Sequence, residues 1–190
     1  MTAAPAHPDN ISLATTRLLL RPWRPEDLPH FIALNADPRV MEHFPRTLTA
    51  QESERQVAGI ADHIREHGFG FWAIEVVGVA DFIGFVGIST PTFQAHFTPC
   101  VEVGWRLAFE HWGHGYATEA ARAAVDCGFR QFGLEEIVAF TVPANRRSIR
   151  VMERLGMTRS AADDFDHPRL PPGHALRPHV LYRLKRPSAA

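Results

Sequence analysis

The chain has 190 residues, 45% of them hydrophobic and 22% charged, with a net charge of −1. That length supports one domain with a real core, and the charge advertises no nucleic acid or anionic membrane partner. The start, MTAAPAHPDN, lacks the basic and apolar regions of a secretory signal, and no apolar run approaches the ~18 residues that span a membrane.

Residues 1–14 are rich in Ala, Pro and polar side chains and read as a flexible arm, and 187–190 read as a flexible tail. The span between them, 15–186, reads as one domain. "TRLLLRPW" (16–23) reads as a strand. Pro25, placed at a helix N1 position, opens a short helix with Leu28, Phe31 and Ile32 on one face. Thr49 and Glu52 have the capping-box spacing. The helix they start carries Val57, Ile60, Ala61 and Ile64 at helical period and stops at Gly68.

"FWAIEVV" (71–77) and "FIGFVGIS" (82–89) flank a short Gly-containing turn and read as an antiparallel hairpin. "CVEVGWRL" (100–107) alternates, with Val101, Val103, Trp105 and Leu107 on one face and Glu102, Gly104 and Arg106 on the other. A glycine loop follows, then a helix over 117–132. Its apolar stripe is Ala117, Ala121, Ala124, Val125, Gly128 and Phe132, with an Arg122–Asp126 pair on the outer face. Gly133 closes it.

"EIVAFTV" (136–142) is a strand expected to lie parallel to the one ending at Leu107. Asn145 caps a helix that buries Ile149, Met152 and Leu155 and ends at Gly156. A Pro/His-rich loop (163–178) precedes a last strand, 179–184. The fold class is therefore α/β (α+β): a single mixed, mostly antiparallel sheet flanked by helices.

The two cysteines, Cys100 and Cys127, sit in apolar stretches and read as free thiols in a reducing cytoplasm. His63 with His67, and His111 with His114, have spacings that invite a metal. Neither pair has a third ligand at a typical spacing, so no metal is expected.

"HWGHGYATEA" (111–120) carries the strongest signal. Glycines let backbone approach a ligand closely, and the first N–H groups of the following helix lack partners in a field that favours anions. This makes a phosphate cradle. A Walker A loop needs a Lys that is absent here, and a dinucleotide loop needs Gly or Ala where Thr118 stands. An acyl-CoA pyrophosphate loop is the third reading.

"VEVGWRLAFEHWGHGYATEAARAAVDCGF", followed by "VPANRRSIRVMERLGM", resembles the GNAT superfamily of acyl-CoA N-acyltransferases, and within it the ribosomal-protein N-terminal acetyltransferase (Rim-type) branch. The family signature is matched by Trp112, Gly113, His114, Gly115, Tyr116 and Ala117, and a second element by Asn145, Ser148, Leu155 and Gly156. The resemblance implies acetyl-CoA as co-substrate, its diphosphate on the amides of Gly113 to Thr118. It implies the pantetheine arm beside Trp105 and Leu107, with the N–H near Leu107 serving the thioester oxyanion. Asn145 would touch the pantetheine or the leaving sulfur.

The implied reaction is direct attack of a primary amine, such as a protein N-terminal α-amine, through a tetrahedral intermediate. Glu102 is the candidate base, ahead of Glu119 and Asp81. Met152 stands where many members have an acidic tyrosine, so Ser148 is the substitute proton donor. The acceptor is a peptide N-terminus or a small molecule, with neither nucleic acid nor membrane as a partner, and the chain is a monomer or homodimer. Acetylation of a small-molecule amine, a non-catalytic acyl-CoA sensor and a nucleotide-binding domain are the rivals.

Overall fold

The computed structural model describes residues 11–187. Most of the expected arm (1–10) and of the tail (188–190) lies outside the described residues. The elements run β1 (Leu13–Ala14), β2 (Leu18–Arg21), α1 (Asp27–Ala36), α2 (Ala50–His67), β3 (Phe71–Val76), β4 (Ala80–Ser89), β5 (Glu102–Leu107), α3 (Tyr116–Gln131), β6 (Glu136–Thr141), α4 (Arg146–Leu155), β7 (Thr158–Arg159), β8 (Phe165–Asp166) and β9 (Pro178–Lys185).

The strands form one sheet in the order β1-β2-β3-β4-β5-β6-β9-β7, with β8 also on β9. Every pairing is antiparallel except β5 with β6. Strand alternation divides the side chains between two faces. On one face, Leu20, Ile74, Val86, Val103, Ile137 and Val180 pack under α3 and α4. On the other, Ala73, Phe82 and Phe85 pack under Phe31 and Leu34 of α1. Beyond β5 that second face is covered by Phe97, Val138 and Leu181, with Phe93, Phe140 and Phe165 around them.

The capping box forms as expected: Thr49 Oγ1 accepts from Glu52 N–H, and Thr49 N–H donates to the Glu52 carboxylate. Gly68 ends α2 in the left-handed region at φ 77°. Only Ser53 and Ile60 of α2 are buried, and Ala61 faces solvent, because α2 packs on α1 rather than on the sheet. Asn145 caps α4, and Ile149, Met152 and Leu155 are buried as read from the sequence.

Four local expectations are corrected. Helix α1 starts at Asp27, two residues after Pro25, because Asp27 accepts from Arg24 N–H at 2.7 Å and folds Arg24–Asp27 into a turn. Its buried face is Asp27, Phe31, Leu34 and Asn35, with Leu28 and Ile32 half-buried. Arg122 does not pair with Asp126; it donates to the Arg154 carbonyl at the end of α4, where the helix dipole favours a cation. The short strands β1, β7 and β8 escaped the sequence reading. β1 pairs Leu13 with Leu20, inside the expected arm, and β8 pairs Phe165 with His179, inside the expected loop.

Two structural facts position the site. Among the described residues, the β5–β6 junction pairs only Glu102 with Val138, and beyond that point the strands splay apart. Val138 N–H donates to the Val101 carbonyl at 2.9 Å. By strand alternation the backbone groups of Trp105 and Leu107 face the same side as the Val101 carbonyl, into the open notch.

Candidate active site

A cleft of about 780 Å³ opens at the notch. It is lined on one side by Trp105, Leu107, Trp112, Gly113, Gly115, Tyr116, Ala117, Thr118, Asn145 and Ser148, and on the other by Glu102, Gly104, Arg106, Phe71, Phe85 and Phe44. The residues singled out in the sequence thus converge, with three exceptions. His114 stands outside the lining, its ring stacked on Tyr116. Glu119 accepts from Thr15 Oγ1 at 2.6 Å and pairs with Arg17 at 2.7 Å, away from the cleft. Asp81 is exposed at the start of β4.

The glycine loop is built by local rules. A 3-10 turn at Phe109–His111 reverses the chain after β5, and Trp112 Nε1 donates back to the Leu107 carbonyl at 2.9 Å. Gly113 and Gly115 both adopt φ 82°, a conformation that side chains resist. Gly115 is the N-cap of α3, and among the described residues no side chain caps that terminus. Arg17 clamps the loop from outside: it donates to the His114 carbonyl at 3.0 Å and stacks over Tyr116 at 4.7 Å. The first amides of α3 therefore remain as an anion-binding terminus.

Across the notch, Asn145 Oδ1 accepts from Ser148 N–H at 3.2 Å, while Asn145 Nδ2 donates to Thr141 Oγ1 at 3.0 Å. Both bonds orient Asn145 at the end of β6. Ser148 is half-buried on the first turn of α4, and Met152 one turn later is buried and carries no exchangeable proton.

The second side of the cleft carries two ionisable groups on one face of β5. Burial pushes the Glu102 carboxyl up to about 7, offset in part by Arg169. Burial pushes the Arg106 guanidinium down to about 10. Gly104 between them leaves room for the Phe71 ring, which would lie 3.2 Å from a Cβ at that position. Arg106 Nη1 donates to Asn35 Oδ1 at 2.6 Å, and Asn35 is held by Ser53 Oγ at 3.0 Å.

Sequence reasoning missed Arg106, Asn35, Phe44 and Arg169. A strand face bearing Glu and Arg ordinarily reads as solvated, and the covering residues come from distant segments. Arg169 arrives from the Pro/His-rich loop and donates to Thr92 Oγ1, which brings that loop to the border of the cleft.

Among the described residues, no group of three or more His, Cys, Asp or Glu side chains could hold a metal ion. His63 is committed to the fold, with Nδ1 bonded to the Phe69 carbonyl at 2.9 Å and Nε2 accepting from Thr90 N–H at 3.0 Å. Both cysteines are free thiols, and burial raises each to about 11. No helix among the described residues is long and apolar enough to cross a membrane.

Comparison with known proteins bears on the family and the fold. The acetyltransferase (GNAT) domain profile matches residues 17–158. An FsC-acetyl coenzyme A-N(2)-transacetylase of Aspergillus fumigatus is 33% identical over 195 aligned residues, covering 93% of this chain and 80% of that protein. The crystal structure of an acetyltransferase from Agrobacterium tumefaciens superposes with a TM-score of 0.74 at 28% identity, covering 93% of this chain and 95% of the other. Mycobacterium smegmatis RimJ in complex with CoA-disulfide shares the fold, with a TM-score of 0.74 at 21% identity over 94% of this chain and 88% of RimJ. The chain belongs to the GNAT acetyltransferase family and is an acetyl-CoA-dependent N-acetyltransferase.

Proposed function

We propose that the chain transfers acetyl from acetyl-CoA to a primary amine held against the Glu102 face of β5. The observation that carries this reading is the convergence of three features in one cleft: the uncapped amides of the glycine loop, the open edge of β5 and a buried carboxylate. The amides of Gly113 to Thr118 receive the CoA diphosphate. The exposed edge at Trp105 and Leu107 pairs with the pantetheine arm, with Asn145 on the opposite wall.

The amine nitrogen attacks the thioester carbonyl carbon, and the Leu107 N–H stabilises the oxyanion that forms. The nitrogen loses a proton to Glu102, directly or through water. Collapse breaks the C–S bond and the sulfur leaves as thiolate; the Ser148 hydroxyl is our candidate to hand it a proton while taking one from water in the same step, so that hydroxide and not a serine alkoxide is left to solvent. An α-amine, with a pKa of about 8, is better matched to a base near 7 than a lysine at about 10.4. A protein N-terminus and a small molecule are the two carriers of such an amine, and the Aspergillus relative is named for acetylation of an N(2) nitrogen.

The free thiols fit a reducing cytoplasm, and the catalytic domain takes in 15–186 with β1 extending its edge. The decisive experiment mixes protein, acetyl-CoA and a panel of peptides and small amines and follows thiol release. Acetylated amine appearing with CoA supports the reading. Tight CoA binding without turnover on any amine would overturn it in favour of an acyl-CoA sensor.

A further inference from the structure

We propose that the acceptor is a small amine that also carries a carboxylate, and that Arg106 is the group that binds this carboxylate. The proposal rests on the acetyltransfer reading above and names its substrate class.

The argument begins with an unbalanced charge. Arg106 sits in the cleft wall with its guanidinium over the Phe44 ring at 4.2 Å and near Phe85 at 5.4 Å. Nη1 is taken by the neutral Asn35 amide oxygen at 2.6 Å. Nε is buried and has no hydrogen-bond partner among the described residues. Nη2 likewise has no protein acceptor among them. Arg21, the one buried arginine among the described residues, is treated differently: it is held by both oxygens of Asp27 at 2.8 Å and by Glu75 at 3.1 Å.

Arg106 is half-buried, and a partly desolvated cation without a counter-ion, its Nε fully enclosed, is costly. Asn35 orients this one without neutralising it, and Asn35 is itself fixed by Ser53 and by the Leu48 N–H at 3.0 Å. Two adjacent donors of a planar fork are left, the pattern that a carboxylate satisfies in bidentate fashion.

The rest of the lining favours the same acceptor. Arg39, Arg106, Arg147, Arg150, Arg154 and Arg169 line the cleft, against Glu102 as its one carboxylate among the described residues; Arg39 and Arg147 are paired beside it with Asp37 and Glu42, and the other four have no carboxylate partner there. A polycationic amine meets repulsion there. Glu102 and Arg106 are four residues apart on one strand face, about 13 Å between Cα atoms. Both side chains line the one cleft, so a flexible chain of a few atoms, passing the Phe71 ring over Gly104, can carry an amine near Glu102 and a carboxylate near Arg106. The Phe44 cover admits a compact anion more readily than a folded polypeptide.

The test compares aspartate, glutamate and 4-aminobutanoate with their methyl esters, with n-butylamine, and with a C-terminally amidated neutral peptide. We expect the wild type to favour the free acids over their esters by roughly 100-fold in kcat/KM, the size of a hydrogen-bonded charge pair. Arg106→Gln should bring that ratio to within about threefold, and Arg106→Lys should leave an intermediate ratio. A ratio near one in the wild type, an unchanged ratio in Arg106→Gln, or a preference for the neutral peptide overturns the proposal.

Thiol release from none of these amines counts against the acetyltransfer reading instead. Calorimetric titration of glutamate into the protein–CoA complex then decides the inference alone. Binding by the wild type that is lost in Arg106→Gln supports it, and absence of binding to the wild type overturns it.

Discussion

Glu102 and Arg106 project from the same face of β5 with Gly104 as the position between them on that face, and burial weakens both as ions. The carboxyl rises to about 7 and the guanidinium falls to about 10. One group is thereby poised to exchange a proton near neutral pH, while the other stays charged.

The pH dependence of turnover follows from the first of these. Only ionised Glu102 can accept the amine proton, so kcat/KM should rise with pH through about 7. Glu102→Gln removes the base. Turnover should fall by roughly 10²- to 10⁴-fold above about pH 7, and the difference should narrow as pH falls and the wild-type carboxyl takes up its proton, with CoA affinity intact. A pH–rate profile of the variant superimposable on the wild type would remove Glu102 from the mechanism.

The same substitution should stabilise the protein above neutrality. Between about 4.5 and about 7 the unfolded chain gives up the Glu102 proton and the native chain keeps it, so native stability falls as pH rises through that window. Glu102→Gln has no such loss and should gain roughly 1 to 3 kcal/mol at pH 8 relative to pH 4. Urea denaturation at the two pH values measures the difference.

Gly115→Asp should abolish CoA binding. It places a side chain at φ 82° and a negative charge at the uncapped start of α3, where the diphosphate is proposed to lie. Retained protection of the variant by acetyl-CoA against thermal unfolding would contradict the loop assignment.

Asp27 joins α1 to β2 through Arg21, with both side chains 3% exposed. Asp27→Ala leaves that buried guanidinium with Glu75 as its one carboxylate partner beside the Pro22 and Asp81 carbonyls, and should cost about 3–5 kcal/mol of stability. A denaturation midpoint within error of the wild type would show that the pair contributes nothing.

The buried histidines contribute an acid sensitivity that opposes the Glu102 slope over the same range of pH. Burial lowers His63, His167 and His179, with His167 reaching about 4. At these sites the unfolded chain therefore binds more protons below about 6.5, and their contribution to stability should drop as pH falls from there. His167→Gln should flatten part of that slope, as followed by thermal midpoints between pH 4 and 7.

Much of this was legible in the sequence. The capping box at Thr49, the glycine loop before α3 and the Asn145 cap are local signals, fixed by spacing within one turn, and each forms where its residues place it. Glu102 was legible as a carboxylate on a central strand. Its burial was not, because Phe71, Arg169 and the α1–α2 layer that enclose the cleft come from remote parts of the chain. Arg106 shows the same limit more sharply. Alternation places its side chain on the correct face, but the Asn35–Ser53 network that holds it spans 71 residues from Asn35 to the strand. Strands β1, β7 and β8 are two residues long and carry no periodicity to detect.

The splay between β5 and β6 gives the fold a sheet edge that lies in its interior. Edge strands at a periphery are templates for foreign strands, and proteins guard them with charge, proline or bulges. Here the guard is width. A polypeptide strand brings side chains on both of its faces and needs the full spacing between sheet layers, whereas an unbranched thread does not. The notch therefore sorts visitors by cross-section before any chemistry begins: it keeps a row of hydrogen-bonding groups available to a slender ligand and closed to aggregation.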